Sequence, residues 1–382
     1  MSDLVLESFA GPGGWSEGLR LAGFQGRAVG VEHDLAACRT AMAAGHQRIQ
    51  ADAASFPLAH MAGKVDGLIQ SPPCQAWSNA GDQLGKLDQP RVFERIAAFD
   101  ARRPAPVVQW ADPRSHLTAE PMRWAVALRP RWIALEQVPP VLPLWQFIGE
   151  RLREHGYRVW CGILSAEQYG VPQTRRRAIL LARRDGRPVG PPVPTHQAYR
   201  AGRAPVEMPD LFGEQLPPPV SMAEALGWAG ADRPARTVCG DRSPRWAYGQ
   251  GNSYATGWTL ADVVMTNGGD RSIEDPSLTI TASLDNGNMR WTAGRPATKV
   301  CGDARLAPPG HRDREGGERQ FGEDTVRVTV QEAAVLQSFR PDYPWYGTKS
   351  EKYSQVGNAV PPLLAAAVLR QFVDTSAGEV AA

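Results

Sequence analysis

The segment SPPCQAWS, residues 71–78, places Cys74 directly behind two prolines. Two prolines fix two φ angles and remove two backbone donors, so they hold the thiol in position. A typical free cysteine is a small core hydrophobe, but the polar neighbours Ser71 and Gln75 argue against that role here. The segment follows the predicted strand VDGLIQS, so Cys74 should stand just past a strand's carboxyl end, where open α/β sheets build their sites. A thiol in that place could act as a nucleophile.

Two further stretches place ionisable side chains at predicted strands. Glu136 ends one strand, and an acid there could protonate a ring nitrogen of a substrate; a solvated strand-end glutamate is the alternative. The stretch QTRRR sets Gln173, Arg175 and Arg177 on one face of an entering strand. Arginines so placed could meet a phosphate or the oxygen of a base, and an ordinary solvated basic run is the alternative.

A glycine-rich turn follows the first predicted strand. FAGPGGWSEGLRLAG, residues 9–23, opens a helix that is predicted to end at Gly23, and its first glycines would let the backbone approach a ligand closely. Glu32 ends the next strand, and an acid about 20 residues beyond such a turn is typical of sites that bind ribose hydroxyls. The spacing is not G-x-G-x-x-G, so a pyrophosphate is not implied, and a plain glycine turn is the alternative.

Two aspartates, Asp52 and Asp66, are expected beside strand ends on the same sheet edge. Asp52 could accept a hydrogen bond from an adenine amino group. Taken alone, each aspartate is more often a helix cap or a turn former than a ligand.

Over residues 1–182, short apolar runs alternate with helical stretches. These elements must position the residues named above. This pattern predicts an α/β fold with a doubly wound, mostly parallel sheet. The predicted strands are LVLESF, GRAVGVE, VDGLIQS, RWIALEQ and RAILLA. One helix is expected over EPMRWAVAL, capped by Thr118 and ended by Pro130. The helical period returns in TVQEAAVLQSF and PPLLAAAVLRQFV.

Between residue 182 and the later helical stretches, prolines and glycines are frequent and no long helical period occurs. We expect a second, smaller domain of short strands and loops there. It contains a near repeat, RPARTVCGD at 233–241 and RPATKVCGD at 295–303, which duplicated hairpins or direct ligand contacts would explain.

Composition excludes several protein classes. The chain has 382 residues and a net charge of +2, so its overall charge does not point to nucleic acid, although residues 175–187 carry six arginines against one aspartate. Its five cysteines form no C-x-x-C pair, so neither a zinc site nor a disulfide framework is predicted. No long apolar stretch and no signal-peptide pattern occur, so we expect a cytoplasmic protein with no membrane partner.

These motifs, in this order, resemble the DNA cytosine-5 methyltransferases. The matching segments are FAGPGG, VEHD, SPPCQAWS, EQVPP, YGVPQTRRR, RVTVQEAAVLQSF and QVGNAVPP. The resemblance implies a catalytic S-adenosylmethionine-dependent methyltransferase domain of Rossmann-like fold over residues 1–182 and 345–382. It implies a β- and loop-rich target recognition domain over residues 183–344, where Arg236, Arg242, Arg245 and Arg290 are candidate DNA contacts.

The resemblance also implies the chemistry. Cys74 matches the nucleophile that adds to carbon 6 of a flipped-out cytosine, and Glu136 matches the glutamate that protonates ring nitrogen 3. Arg175 is expected near the base oxygen, with Gln173 and Arg177 as supports. Other positions match those that enclose S-adenosylmethionine, whose product is S-adenosylhomocysteine: Phe9, Ala10, Gly11, Gly13, Gly14, Glu32, Asp52, Pro72, Asn358 and Val360. The implied partners are double-stranded DNA and a cognate restriction endonuclease, for a monomer in a bacterial or phage-infected cell that needs no metal.

Three positions depart from the family pattern. Gln137 stands where asparagine is usual, and its extra methylene could disturb the support of the cysteine segment. Ser71 replaces a usual glycine, and Trp77 a common phenylalanine.

Three other functions would account for some of these motifs. An RNA (tRNA) cytosine-5 methyltransferase is disfavoured because the chain lacks the Cys-Phe-Thr segment of that branch and has a long variable region. A catalytically weak DNA-binding homologue is disfavoured because Cys74, Glu136 and Arg175 are all present. A nicotinamide or flavin oxidoreductase would need a resolving cysteine or the usual glycine fingerprint.

Overall fold

The computed structural model of the chain describes residues 3–77, 84–199, 216–227, 277–278 and 329–373. The chain divides into two compact units. The first unit is formed by Met1–Leu164, Arg176–Val193 and Ala359–Ala382. The second unit is formed by Ser165–Arg175 and Pro194–Asn358. The predicted division at residues 182 and 344 stays a prediction.

A seven-stranded sheet forms the centre of the first unit. Its strands in chain order are β1 (Leu4–Ser8), β2 (Arg27–Glu32), β3 (Gln47–Gln50), β4 (Gly67–Gln70), β5 (Trp132–Gln137), β6 (Arg158–Ser165) and β8 (Arg176–Arg183). In space the order is β3-β2-β1-β4-β5-β8-β6. The five strands predicted from the sequence correspond to β1, β2, β4, β5 and β8. The polar strand β3 and the mixed strand β6 were not predicted.

The sheet is mostly parallel, as predicted. Strands β1 to β5 pair in parallel with their neighbours, and β8 runs antiparallel to β5. The chain proceeds from β1 outward to β2 and β3, then returns to place β4 on the other side of β1, so the order reverses between β1 and β4. Ligand sites of open α/β sheets lie at this switch point, at the carboxyl ends of the strands.

Helices cover the sheet because its strands are apolar on both faces. The helices of the described first unit are α1 (Gly14–Leu21), α2 (Leu35–Ala43), α3 (Gly85–Asp100), α4 (Glu120–Leu128), α5 (Leu142–Glu154) and α9 (Pro362–Leu369). Leu68 packs in the main core cluster with residues of α4 and α5, whereas its neighbour Ile69 is equally buried on the opposite face. Burial on both faces is what a parallel sheet requires.

The glycines of α1 allow this helix to pack closely against α9. A Cβ atom added at Gly14 would lie 2.2 Å from the carbonyl oxygen of Val360, and one at Gly18 would lie 2.4 Å from the Cβ of Ala365. Gly23, at φ 83°, follows the helix as predicted. Gly14 therefore allows this close packing, and its place in a cofactor site stays a prediction.

Three predictions about local structure are wrong. Thr118 does not cap α4, whose N-cap is Ala119; its hydroxyl instead accepts a hydrogen bond from the indole of the buried Trp77. Asp66 precedes β4, so it lies at the amino edge of the sheet, opposite to Asp52, and pairs there with Arg131. The stretch QTRRR is not one strand, because it is divided between two sheets.

The described part of the second unit contains short elements. They are β7 (Gln173–Thr174), α6 (Met222–Leu226), β9 (Ser277–Leu278), α7 (Val330–Leu336) and α8 (Lys349–Asn358). Strand β7 pairs in parallel with β9. Helix α7, predicted from its period, begins with a capping box between Thr329 and Glu332. The candidate DNA contacts Arg236, Arg242, Arg245 and Arg290 lie outside the described residues.

Within the described ranges, none of the helices combines the length and apolar character needed to cross a bilayer. The same ranges contain no group of three or more His, Cys, Asp or Glu side chains that could hold a metal ion.

Candidate active site

Cys74 lies beyond the carboxyl end of β4, as predicted, and its side chain is half-buried. The segment before it is held by Gln137, the last residue of the neighbouring strand β5, which is 1% exposed. The Gln137 Nε2 group donates to the carbonyl oxygens of Pro72 at 2.8 Å and Pro73 at 2.9 Å. Its Oε1 atom accepts from the Val138 N–H at 2.6 Å. Both N–H donors of this amide group are thus directed at the backbone that precedes the thiol.

Each of the three residues that depart from the family pattern makes a side-chain hydrogen bond. Gln137 reaches both proline carbonyls, so the expectation that its extra methylene disturbs the segment is not supported by the geometry. The Ser71 hydroxyl accepts from the Trp15 indole at 2.7 Å, which connects the cysteine segment to the first turn of α1. The Trp77 indole donates to Thr118 at 2.8 Å.

Replacing Gln137 with leucine should reduce the single-turnover rate of the methyl transfer that the sequence resemblance implies. Both proline carbonyls would lose their donor, and at about 1–3 kcal/mol for a buried unsatisfied group we expect a fall of roughly 10- to 100-fold. The variant Gln137→Asn keeps the amide on a side chain that is one methylene shorter. Its rate should lie between those of the unmodified chain and the leucine variant. Rapid-quench measurements with saturating DNA would test this order. A leucine variant as fast as the asparagine variant would show that the amide does not support the segment.

Glu136 lies one residue before Gln137 and forms a buried ion pair. Its Oε1 atom is 2.7 Å from the Nε atom of Arg177, and the two side chains are 8% and 7% exposed. The pair forms because β8 runs antiparallel beside β5, with Glu136 opposite Ile179 in the register. An acid and a guanidinium thus meet at the sheet edge that also carries Cys74.

Gln173 and Arg175 belong to the second unit and have partners there. The Gln173 side chain donates to the Leu336 carbonyl at 3.1 Å and to the Gln337 side chain at 2.7 Å, beside the end of α7. Arg175 is fully buried and donates to the Gly357 carbonyl in α8 at 3.1 Å. In the described contacts, it is Arg177 that pairs with Glu136.

Arg114 is a further charged residue at this site, and the sequence did not single it out. Its guanidinium forms two hydrogen bonds to the Asp112 carboxylate, at 2.9 and 2.6 Å. These bonds raise the pKa of Arg114 above its ordinary value, and the charge of the Cys74 thiolate adds to the effect. The Arg114 guanidinium thus lies within electrostatic reach of the Cys74 sulfur. The only sequence signal was the short run Asp112-Pro113-Arg114 before a helix.

The turn that joins β1 to α1 has an unusual backbone. Phe9, Gly11 and Gly13 have φ angles of 55°, 52° and 111°. Left-handed conformations are accessible to glycine but cost energy at phenylalanine. The turn therefore forms an open cradle at the switch point of the sheet, and a Cβ added at Gly11 would meet nothing within 4 Å.

Glu32, at the carboxyl end of β2, closes one side of this cradle. Its carboxylate accepts from the Gly11 N–H at 2.8 Å and from the Asp34 N–H at 2.8 Å, and His33 lies 3.0 Å away. Burial alone would raise the pKa of Glu32, but the hydrogen bonds from His33, Asp34 and Gly11 outweigh it and hold the pKa below its ordinary value. The group is therefore an ionised acceptor at neutral pH. A carboxylate has about four acceptor positions, so it can still receive a hydroxyl.

The other predicted cofactor residues divide into two groups. Val360 is buried against Gly14, and Pro72 is held by Gln137, so both lie on the edge that carries the cradle. Asp52 follows β3 and is exposed, and its carboxylate binds the Ala54 N–H and the Ser55 hydroxyl, as a turn former does. Asn358 belongs to the second unit, where its side chain donates to Ser354.

Comparisons with known proteins identify the family of the chain. The family model of C-5 cytosine-specific DNA methylases matches residues 4–374. The type II methyltransferase M1.HphI of Haemophilus parahaemolyticus is 28% identical, over 99% of this chain and 89% of its own. M.NgoMIV of Neisseria gonorrhoeae, another type II methyltransferase, is 27% identical over 96% of each chain.

Solved structures show the same fold. Entamoeba histolytica methyltransferase EhMeth superimposes with a TM-score of 0.56 and 14% identity over 98% of this chain and 99% of that one. A Spodoptera frugiperda DNMT2 mutant gives a TM-score of 0.55 and 16% identity over 96% and 98%. These identities support the fold alone, whereas the family model spans nearly the whole sequence. The chain belongs to the C-5 cytosine-specific DNA methylase family and is a DNA methyltransferase.

Proposed function

We propose that this enzyme methylates carbon 5 of cytosine in double-stranded DNA, at a short specific sequence, through a covalent adduct with Cys74. The observation that supports this most strongly is the arrangement of β4 and β5. Gln137 holds the two carbonyls before Cys74, and its neighbour Glu136 carries a buried partner, Arg177. This arrangement on adjacent strands of one sheet edge supports Cys74 as the nucleophile and Glu136 as the acid.

In the proposed reaction the Cys74 thiolate adds to carbon 6 of the cytosine. A carbon–sulfur bond forms, and the electron pair of the 5,6 double bond becomes available at carbon 5. After carbon 5 has received the methyl group, a base, for which we propose water, removes its proton. The carbon–sulfur bond then breaks, the double bond forms again and Cys74 leaves as the thiolate.

In this scheme the protonated form of Glu136 gives its proton to ring nitrogen 3, which makes carbon 6 more open to attack, and takes the proton back when the carbon–sulfur bond breaks. Arg177 holds the Glu136 carboxyl group, and we assign it the place beside the base oxygen that the sequence suggested for Arg175. The 2.7 Å ion pair between Arg177 and Glu136 supports giving this role to Arg177 instead of Arg175. Arg175 and Gln173 then support the backbone of the second unit through Gly357 and Leu336.

The residues of the cradle fit S-adenosylmethionine, on which the family depends. The cofactor, when bound, supplies the methyl group. Glu32 would receive a ribose hydroxyl, since it is ionised and keeps an acceptor position beside those that Gly11, Asp34 and His33 fill. The turn of residues 9–14 would line the binding site together with Pro72 and Val360, and Asp52 would receive the adenine amino group. We also keep Asn358 among the cofactor residues, on the strength of its motif.

The target cytosine has to leave the duplex, at a cost of roughly a few kcal/mol. We propose that residues 183–344 supply the DNA contacts that offset this cost and select the sequence. The relatives named as type II methyltransferases favour a restriction-modification role with a cognate endonuclease. A monomer in the cytoplasm is sufficient for this chemistry.

Bisulfite sequencing of plasmid DNA from a cytosine-methylation-free bacterial host that expresses the chain would test the proposal. We expect protected cytosines in one short recurring context, and none in cells that express Cys74→Ala. Complete conversion of the plasmid, combined with methylated cytosine in cellular RNA, would support the RNA methyltransferase alternative. Conversion without methylated RNA would indicate a DNA-binding homologue.

A further inference from the structure

Arg48 is the exceptional residue of strand β3. The other three residues of this edge strand, Gln47, Ile49 and Gln50, are exposed, but the Arg48 side chain is only 1% exposed. A buried arginine on an otherwise solvated edge strand costs desolvation energy, so it needs specific partners.

Arg48 donates to the Gln47 carbonyl on its own strand at 3.0 Å, and its other partners lie in the turn that joins β1 to α1 and in the first turn of α1. Its Nε atom donates to the Gly11 carbonyl at 3.4 Å, and its Nη2 atom to the Ala10 carbonyl at 3.5 Å. The same Nη2 atom donates to the Ser16 hydroxyl at 3.1 Å. The guanidinium therefore contacts both the strained turn and the first turn of the helix that follows it.

Strand β2 lies between Arg48 and this turn, and it leaves a gap for the guanidinium. Gly30 is the residue of β2 at the crossing point. A Cβ atom added at Gly30 would lie 2.6 Å from the Nη1 atom of Arg48 and 2.6 Å from the Cβ of Ala10. A side chain at position 30 would thus displace the arginine from the turn.

A buried carboxylate on β1 balances the charge of Arg48. The Oε2 atom of Glu7 is 3.9 Å from the Arg48 Nη2 atom and accepts from the Ser16 hydroxyl at 2.8 Å. Burial raises the pKa of Glu7, and the charge of Arg48 is the largest opposing influence. Glu7, Ser16 and Arg48 form one connected polar group beneath the turn.

We propose that Arg48 is a positioning residue for S-adenosylmethionine. Its guanidinium fixes the carbonyls of Ala10 and Gly11, and thereby presents the Gly11 N–H to Glu32 in the cofactor cradle. Phe9 and Gly11 lie in the left-handed region, and Phe9 keeps this costly conformation only when its surroundings determine it. The inference rests on the proposed function and extends it to a residue that does not touch the cofactor.

Titration calorimetry with S-adenosylhomocysteine and S-adenosylmethionine would test the inference. For Arg48→Met we expect about 10- to 100-fold weaker binding of both, because two charged hydrogen bonds to the turn are lost. Arg27→Met is the matched control: Arg27 is an exposed arginine on β2 that binds only the Gln47 side chain in the described contacts. Its cofactor affinity should equal that of the unmodified chain, and neither change should alter DNA affinity.

A second pair of variants separates positioning from charge balance. Arg48→Met leaves the Glu7 carboxylate buried without its cation, which alone could destabilise the fold. The double variant Glu7→Gln/Arg48→Met removes that charge, so its unfolding midpoint should recover while its cofactor affinity stays weak. Gly30→Ala keeps both charges but brings a methyl group against both the guanidinium and Ala10, and should weaken binding as well.

Recovery of cofactor affinity together with stability in the double variant would overturn the inference, and so would equal affinities for Arg48→Met and the unmodified chain. Loss of DNA methylation by a chain that still binds the cofactor would count against the proposed function alone. An unmodified chain that binds no S-adenosylmethionine would overturn both.

Discussion

Replacing Cys74 with alanine is expected to abolish methyl transfer and to leave the affinity for S-adenosylmethionine unchanged. The Cys74 sulfur would be the only protein atom that forms a covalent bond to the base. Its removal should therefore lower the rate on the order of 10⁴-fold or more. The cofactor cradle does not depend on it, because the contacts of Gly11 and Glu32 are made within β1, β2 and their turns. Single-turnover transfer of labelled methyl groups and titration calorimetry measure the two quantities separately.

Cys161 provides a matched control for this experiment. It is a free, half-buried cysteine on β6 in the same unit, and burial raises its pKa to about 12, so it is an inert thiol at neutral pH. Cys161→Ala should transfer methyl groups at the normal rate and should trap on DNA that contains 5-fluorocytosine. If Cys74→Ala lost cofactor binding, or still formed a covalent complex with 5-fluorocytosine DNA, the assignment of Cys74 as the nucleophile would be wrong.

Replacing Glu136 with glutamine should slow the single-turnover rate by about 10²- to 10⁴-fold, which is the usual contribution of a positioned general acid. Glutamine has nearly the same shape, and its amide oxygen can still accept from Arg177. It has no carboxyl proton to give to ring nitrogen 3. The rate should be measured with saturating DNA and cofactor, so that binding does not enter the comparison.

The change also leaves Arg177 buried without its carboxylate, which could cost about 3–5 kcal/mol of stability. The unfolding midpoint of Glu136→Gln must therefore be measured beside its rate. A double variant, Glu136→Gln/Arg177→Met, removes the unpaired charge and should regain stability without regaining activity. If Glu136→Gln turned over at nearly the normal rate, the residue would have no part in the mechanism.

Much of the sheet edge that carries the candidate active site could be predicted from short-range sequence patterns. Apolar runs that end in Glu32, Glu136 or the Pro-Pro-Cys segment indicated strands whose carboxyl ends meet, and the sheet places them in that way. These predictions succeed because buried parallel strands are nearly continuous apolar runs. Strand β3 lacks such a run, since it is an edge strand with three exposed residues, and so Arg48 remained unnoticed.

Pairing between distant elements could not be read from the sequence. The alternation in QTRRR suggested one strand, but the chain passes from the second unit to the first after Arg175. The pairing of Arg177 with Glu136 depends on the position of β8 beside β5, which no local pattern encodes. The reach of Gln137 was likewise underestimated, because the path of the proline backbone decides whether a longer side chain fits.

The packing of α9 against α1 has a consequence for how the protein is made. Gly14 and Gly18 lie near the start of the chain, and the helix that they accommodate is among its last described segments. Phe372 also stacks on Trp132 at 4.8 Å, and Arg183 donates to the Gln371 carbonyl. During synthesis both α1 and α9 must therefore have left the ribosome before the first unit can close. Such high contact order slows folding and exposes the apolar face of α1 to chaperones in the meantime.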